Sequence, residues 1–292
     1  MIETRLLRYF LTIAREQNIT KAAEALHVTQ STLSKQMMEL EDRLGKPLLI
    51  RGKRRVTLTE EGQFLRKQAQ EIMELMDKTE SAFLSGDSIV GGDVYLGCAE
   101  TQAMSEIAAV FQSIHAEYPR VQFHIFSGDA ETVMERLDKG LLDIGILQDP
   151  AVYERFEYTR LRLKDVFGLL MPRDCALAQK KAVTLDDLEG LPLIFSQQTH
   201  HGPSRTEWFG RRYEQYRIVA TYNLLYNATH LVEQGIGYAF CLDGLTDTKN
   251  RNLTFRPFVP PLEAGLVAVS KKYQPFSPAA KVFMERLKEA FL

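Results

Sequence analysis

The chain has 292 residues, 45% of them apolar and 25% charged, and a formal net charge of −2, so it has room for two or three compact units of ordinary globular composition. No segment approaches the roughly 20 consecutive apolar residues of a membrane-spanning helix, which excludes that class and predicts no membrane partner. Acidic Glu3 and the lack of an apolar signal core argue against export, so we expect a cytoplasmic protein.

The first 58 residues have the pattern of a helical DNA-binding domain. Residues 3–17 carry an apolar stripe at helical spacing. Residues 18–58, NITKAAEALHVTQSTLSKQMMELEDRLGKPLLIRGKRRVTL, predict two short helices joined by a tight turn, followed by a basic hairpin. Thr20 and Thr29 are the expected N-caps of the two helices, and Gly45 suits a left-handed C-cap.

The second of these helices has two chemically different sides. Its apolar positions recur at every third or fourth residue and would face the core: Leu33, Met37, Leu40 and Leu44. Its N-terminal half carries side chains that can bond base edges: Gln30, Ser31, Thr32, Ser34 and Lys35. Because a recognition helix presents its N-terminal residues to the major groove, we predict that these polar residues contact double-stranded DNA.

A basic wing is predicted after the helix pair. Between Lys46 and Arg55 there are five Lys or Arg residues and no acidic one. We expect Arg51, Arg54 and Arg55 to contact phosphates or a neighbouring minor groove. Residues 1–58 hold 11 basic and 6 acidic residues, a net charge of +5, whereas the remainder carries −7. The alternative interpretation is a helical hairpin of an all-α domain with a solvated basic loop behind it.

This stretch resembles the LysR-type transcriptional regulators, and the resemblance covers essentially the whole chain. The family's motif is present as Gln30, Ser34 with Lys35, Leu40 with Glu41, and Gly45. Where family members commonly have Leu-Phe before the wing arginine, residues 48–50 read Leu-Leu-Ile. The resemblance implies base contacts by the polar half of the second helix, and backbone or minor-groove contacts by Arg51 and Arg54.

A long helix is predicted after the wing. Thr59 can cap a helix that runs to about Leu84, spanning roughly 40 Å at ~1.5 Å per residue. Its uneven apolar stripe suits pairing with a second copy of the chain, whereas packing on its own body is the alternative. The resemblance favours a homodimer or a homotetramer. Residues 85–92, with three glycines, predict a hinge.

From residue 93 onward, strands and helices alternate, which predicts an α/β architecture with a mostly parallel sheet. Strands are expected at 94–98, 121–126, 143–147, 166–171, 193–195, 217–222, 237–242 and 265–270. Helices are expected at 104–118, 131–139, 185–188, 204–213, 225–234 and 278–291. The resemblance implies two lobes like those of periplasmic binding proteins, with the last helix returning to the first lobe.

The predicted fold class is therefore α + α/β, with an N-terminal winged helix-turn-helix, a long linker helix and a two-lobed α/β effector-binding domain. The expected bounds are 1–58 for the winged helix-turn-helix and 59–91 for the linker and hinge. Lobe I is expected at 92–162 with 266–292, and lobe II at 163–265.

Polar residues that directly follow predicted strands are the candidate ligand contacts, because strand ends and helix N-termini converge in a crevice between two lobes. The resemblance singles out Thr101, Gln102, Ser127, Ser196 and Asn223. Each could instead be a cap or turn residue, since these residue types favour such places without a ligand. Helix amides favour a carboxylate and Glu100 would suit an amine or a hydroxyl, so we expect a small polar metabolite such as an organic acid or an amino-acid derivative.

Other chemistry has little support in the sequence. His200 and His201 lack a third metal ligand, and a solvated loop is the simpler interpretation. Cys98, Cys175 and Cys241 lie far apart, and Cys98 and Cys241, which lie in apolar strand-like runs, suit small buried hydrophobes. No nucleotide-binding, esterase or metalloprotease motif occurs, so we predict neither an enzyme nor a cofactor.

Two other classes of function explain only part of the chain. A purely architectural DNA binder would need only residues 1–90, and a small-molecule carrier would not need the DNA-binding part.

Overall fold

The computed structural model describes residues 2–52, 55–84, 90–149, 155–201 and 205–292. They belong to two compact units, Met1–Leu84 and Ser85–Leu292, which we call the N-terminal and C-terminal units. The predicted wing contact Arg54 and most of the predicted hinge, residues 85–89, lie outside the described residues. Among the described residues, no helix is both long and apolar enough to cross a membrane.

The N-terminal unit is a winged helix-turn-helix followed by a long helix. Its elements are α1 (Thr4–Glu16), α2 (Ile19–Ala25), α3 (Gln30–Leu44), β1 (Leu49–Arg51), β2 (Val56–Leu58) and α4 (Glu60–Leu84). Strands β1 and β2 pair in antiparallel fashion and form the predicted wing. Phe10, Leu33 and Met37 meet in one core, to which α4 adds Leu65 and Ala69, so the first half of α4 packs on this unit.

The helix ends follow the predicted capping chemistry with one exception. Thr29 accepts a bond from the backbone N–H of Thr32, and Thr59 accepts one from Gly62, so both predicted N-caps are confirmed. Gly45 ends α3 with φ at 66°, as predicted. The prediction for α2 was wrong, because its N-cap is Asn18, which is extended and accepts a bond from the Lys21 N–H at 3.1 Å.

The C-terminal unit is built on one large sheet. Its strands are β3 (Gly92–Cys98), β4 (Val121–Ser127), β5 (Ile144–Gln148), β6 (Phe156–Pro172), β7 (Pro192–Ser196), β8 (Arg217–Tyr222), β9 (Tyr238–Leu242), β10 (Leu253–Pro257) and β11 (Glu263–Lys271). Their order is β4-β3-β5-β11-β6-β9-β7-β8, with β10 paired to β6. The helices are α5 (Met104–Glu117), α6 (Ala130–Asp138), α7 (Gln197–His201), α8 (Leu225–Glu233) and α9 (Pro278–Phe291). Short 3-10 turns lie at Ala176–Gln179, Asp186–Leu188 and Gly210–Gln215, and a π-helical turn lies at Arg205–Phe209.

The sheet is mixed, so the prediction of a mostly parallel sheet was wrong. Strand β3 is parallel to β4 and β5, and β7 is parallel to β8 and β9. Between these two parallel sets, β6 and β11 run antiparallel to each other and to their other neighbours. The chain passes from one set to the other along β6, which pairs with β11 from Phe156 to Val166 and with β9 from Phe167 onward.

Two local predictions also differ from the structure. The strand predicted at 166–171 is only the end of the longer β6, and β10 was not predicted. The helix predicted at 204–213 is a π-helical turn followed by a 3-10 turn, interrupted where Gly210 adopts a φ of 54°.

Each parallel set has its own core. Phe283 and Leu287 of α9 share one core with Leu96 of β3 and Ile107 of α5, so the last helix packs on the first strands of the unit. The second core is rich in aromatic side chains, including Phe195, Phe209 and Phe240. The lobe bounds at 162 and 265 stay a prediction.

Candidate DNA interface and ligand cleft

The polar half of α3 is on the surface of the N-terminal unit. Burial of Leu33, Met37 and Leu40 turns the opposite side of the helix outward. Of the predicted base contacts, Gln30, Ser31, Thr32 and Lys35 are exposed and Ser34 is half-buried. The hydroxyls of Ser31 and Thr32 lie 3.0 and 2.8 Å from Thr29 Oγ1, so they also take part in the cap of the helix. Gln30 and Lys35 are the long polar side chains of this surface.

Glu41 joins the recognition helix to the wing. Its Oε1 accepts bonds from the backbone N–H groups of Leu48 at 2.8 Å and Leu49 at 3.0 Å. Its Oε2 accepts a bond from Arg51 Nη2 at 3.1 Å, while Arg55 is exposed at the other side of the wing. The sequence-based prediction gave Glu41 no role, although it is part of the Leu-Glu pair of the motif. One carboxylate therefore fixes the start of the wing and orients its first arginine.

The C-terminal unit contains a cavity of about 60 Å³, which is surrounded by residues from both parallel sets of strands. It is lined by Ala99, Glu100, Gln148, Phe167, Ser196, Gln198, Thr199, Trp208, Tyr222, Asn223, Phe240, Cys241, Leu242 and Leu245. We call this cavity the cleft. Of the predicted ligand contacts, Ser196 and Asn223 line it, whereas Thr101, Gln102 and Ser127 are absent from its described lining.

The three predicted contacts outside the lining have other surroundings. Thr101 is buried, and its hydroxyl donates to Asp165 Oδ1 at 2.7 Å and accepts from the Ala103 N–H at 3.1 Å. Gln102 is exposed, as is Ser127 at the end of β4, an edge strand. The strand-end rule, by which polar residues at or after the ends of strands are candidate ligand contacts, placed these residues correctly at the ends of β3 and β4. It did not show where their side chains point.

Ser196 and Asn223 line the cleft and also perform local cap and turn roles. Ser196 Oγ donates to Thr199 Oγ1 at 2.8 Å and accepts from the Thr199 N–H at 3.1 Å. Asn223 Oδ1 accepts from the Leu224 N–H at 2.9 Å. The cap and turn roles are therefore present at both residues, and their contact with a ligand stays a prediction.

The sequence-based prediction missed an amide and an aromatic wall. Gln148 ends β5, lines the cleft and donates to Asp165 Oδ2 at 3.3 Å. Phe167, Trp208 and Phe240 contribute rings to the lining, with Phe167 and Trp208 packed edge to face. The strand-end rule would have found Gln148, but no local signal marks the aromatic residues, which come from distant parts of the chain.

Burial raises the pKa of several groups in the cleft or next to it. Burial raises the pKa of Asp165, although the hydrogen bonds from Thr101 and Gln148 lower it. Burial also raises the pKa of Tyr222 well above its usual value, and its hydroxyl donates to the Phe240 carbonyl at 2.8 Å. Burial raises the pKa of the Cys241 thiol as well.

Comparison with known proteins identifies both units. Residues 4–63 match the bacterial regulatory helix-turn-helix proteins of the lysR family, and residues 90–292 match the LysR substrate binding domain. The chain belongs to the LysR family. This LysR regulator is a transcriptional regulator, not an enzyme, and it combines a DNA-binding helix-turn-helix with a substrate-binding domain. The predicted family and fold class are confirmed.

Relatives of this LysR regulator match most of its length. The Hca operon transcriptional activator HcaR of Escherichia coli is 27% identical over 294 residues, which is 99% of this chain and 98% of HcaR. The transcriptional activator IlvY of Salmonella typhimurium is 30% identical over 214 residues, 72% of each chain. The structure of full-length CbnR in complex with its target DNA has a TM-score of 0.80 at 19% identity, covering 99% and 100% of the two chains, which shows a shared fold. LysR regulators bind DNA and small-molecule effectors and form oligomers.

Proposed function

We propose that this LysR regulator reads its operator with the polar half of α3 and holds the DNA backbone with the wing. The observation that carries the proposal is a polar surface, formed by exposed Gln30 and Lys35 with half-buried Ser34, next to a wing that Glu41 attaches to the same helix. Gln can bond adenine in bidentate fashion, and Lys can bond guanine. The five polar residues of α3 would supply base contacts, and Arg51, Arg54 and Arg55 would contact phosphates.

The effector of this regulator would bind in the cleft. Polar groups from Ser196, Asn223 and Gln148 converge there on an aromatic wall, the usual composition of a small-molecule site. A cavity of about 60 Å³ suits a compact ligand, so a small polar metabolite such as an organic acid or an amino-acid derivative remains the proposed class. The ligand must bind one arrangement of the lobes better than another, because only differential affinity shifts the equilibrium.

Helix α4 would join two copies of the chain. Its side chains Phe64, Ile72, Leu75 and Phe83 are exposed in the single chain. Pairing of two such helices would bury this apolar surface and place two copies of α3 on successive major-groove faces. We therefore propose a homodimer, or a homotetramer built from it, that acts in the cytoplasm, where a bacterial operator lies.

A binding assay on the DNA upstream of the protein's own gene tests the proposal. Wild type should shift this fragment in the presence of competitor DNA, and the double variant Gln30→Ala with Lys35→Ala should not. A matched control is Gln179→Ala with Lys181→Ala, an exposed amide and cation in the C-terminal unit. Repeating the assay with a panel of organic acids and amino acids should reveal a compound that changes the shift. Equal binding by wild type and the Gln30 and Lys35 double variant would reject base readout by α3.

A further inference from the structure

A hydrogen bond crosses the cleft between Glu100 and the start of α8. The backbone N–H of Leu225, the first residue of α8, donates to Glu100 Oε2 at 2.6 Å. Glu100 follows β3, in the first parallel set of strands. Leu225 packs with Leu170 and Ile194 in a second hydrophobic cluster, separate from the aromatic core, on the other parallel set. The bond therefore connects the two sides of the cleft.

The chemistry of this contact is that of an anion at a helix N-terminus. The first N–H groups of a helix have no partner within the helix, and they favour negative charge. At α8 the N-cap residue is Leu224, whose side chain cannot cap the helix. A carboxylate from the other side of the cleft supplies the acceptor that the local sequence lacks.

The two residues that follow Glu100 are both held in place. Thr101 donates to the buried carboxylate of Asp165 at 2.7 Å, which anchors the segment to β6. Gln102 packs against Gly244, so closely that a Cβ at this position would meet the Gln102 side chain. Gly244 also has a φ of 71°. The left-handed backbone and the close approach of the Gln102 side chain therefore both favour glycine at this position. The anchored residues Thr101 and Gln102 thus hold Glu100 in front of α8.

We propose that Glu100 is a specificity-determining residue of the cleft, an internal carboxylate that occupies the N-terminus of α8 and excludes carboxylate ligands from it. This inference rests on the proposed function of the cleft as the effector site, and it narrows the effector class. A ligand at this end of the cleft meets the Glu100 carboxylate and the aromatic rings of Phe167 and Trp208. Those groups favour a hydrogen-bond donor, above all a protonated amine, since a carboxylate accepts bonds and an aromatic face attracts cations. An amino-acid derivative bound with its amine toward Glu100 fits, and a simple organic acid does not.

Chemical rescue with acetate tests the proposal. In the full-length Glu100→Ala variant, acetate should fill the vacated position and raise the thermal unfolding midpoint in a saturable manner. Sodium chloride at equal ionic strength and neutral acetamide should not do so. We expect apparent acetate binding to be roughly tenfold stronger in the variant than in wild type, as for one charge-assisted hydrogen bond. The backbone amide signal of Leu225 in NMR spectra should shift with acetate only in the variant.

The controls separate the possible outcomes. Glu106→Ala removes an exposed carboxylate from α5, and it should behave like wild type. Glu100→Ser serves the same test if the alanine variant does not fold. An acetate response equal in wild type and variant, or no response in either variant, overturns the proposal. The effect of the organic-acid and amino-acid panel on operator binding by wild type, measured in parallel, reports on the proposed function of the cleft alone, so failure of one proposal is distinguishable from failure of the other.

Discussion

Arg51 Nη2 lies 3.1 Å from Glu41 Oε2, and the other oxygen of the same carboxylate binds two backbone N–H groups of the wing. The residues that we propose to read bases and the residues that we propose to hold phosphates are therefore joined by one side chain. Their relative placement depends on that side chain, because it determines how the first arginine of the wing is directed.

Replacing Glu41 with Gln should weaken operator binding and destabilise the N-terminal unit. The amide keeps one acceptor oxygen but loses the charge that pairs with Arg51, and its NH₂ group cannot accept a bond. We expect a loss of about 1–3 kcal/mol in the free energy of unfolding, measured by urea denaturation, and weaker binding in fluorescence anisotropy. Asp42→Asn makes the same charge change on the adjacent exposed residue and should have little effect. Equal effects of the two substitutions would contradict this role of Glu41.

Single substitutions in α3 should separate base readout from general DNA affinity. Gln30→Ala and Lys35→Ala are each expected to cost about 1–3 kcal/mol at the operator and much less on unrelated DNA. The measurement is a pair of titrations with operator and scrambled duplexes at one salt concentration. A residue whose loss weakens both duplexes equally contacts the backbone instead of the bases.

The wing should contribute mainly to the salt dependence of binding. Replacing Arg54 and Arg55 with Ala should reduce the slope of log affinity against log salt by about 0.9 for each lost phosphate contact. The control is Lys181→Ala with Arg211→Ala, two exposed cations of the C-terminal unit. An unchanged slope in the wing variant would remove these arginines from the phosphate contacts.

Charged substitutions on α4 should disrupt the proposed dimer. Phe64 and Phe83 are 69% and 85% exposed in the single chain, so Glu at these positions should leave the fold intact. In a dimer, the same carboxylates would be forced into an apolar interface, which is costly. Sedimentation velocity should therefore show smaller species for the double variant, while Gln63→Glu, which adds a single negative charge at an exposed neighbour, should sediment like wild type. Wild-type sedimentation by the double variant would place the interface elsewhere.

The buried Asp165 should give the stability a dependence on pH. Because its pKa is raised above the ordinary value of 3.8, the folded state binds its proton more tightly than the unfolded state does. This contribution to stability is fully present below pH 3.8 and is lost as the pH rises through the raised pKa. Urea unfolding of Asp165→Asn across this range should lack that decline, and the exposed Asp174→Asn should retain it. Parallel pH profiles for wild type and Asp165→Asn would contradict the prediction.

The sequence predicted elements well where capping and periodicity agree. Helix α9 begins and ends at the predicted residues, because Ser277 caps it and Pro278 occupies its first position. The first part of β6 was not predicted, although Arg160, Arg162 and Lys164 alternate there with Leu161 and Leu163, which is the period-two pattern of a strand with one solvated side.

The candidate ligand site was only partly predictable, for a geometric reason. A polar residue at the end of a strand is placed at the edge of the sheet by topology, which holds for Ser196, Asn223 and Gln148. Whether its side chain turns into the cleft depends on partners that are distant in sequence. Thr101 turns inward because Asp165, 64 residues later, accepts a hydrogen bond from its hydroxyl.

Strand β6 runs without interruption from one parallel set to the other, pairing with β11 up to Val166 and with β9 from Phe167. We therefore expect any rotation of one side of the cleft against the other to twist this strand near Asp165, which accepts a hydrogen bond from Thr101. An effector that rotates one parallel set against the other would apply a torque to β6. The backbone hydrogen bonds of β6 to β11 and to β9 would limit the angle of that rotation.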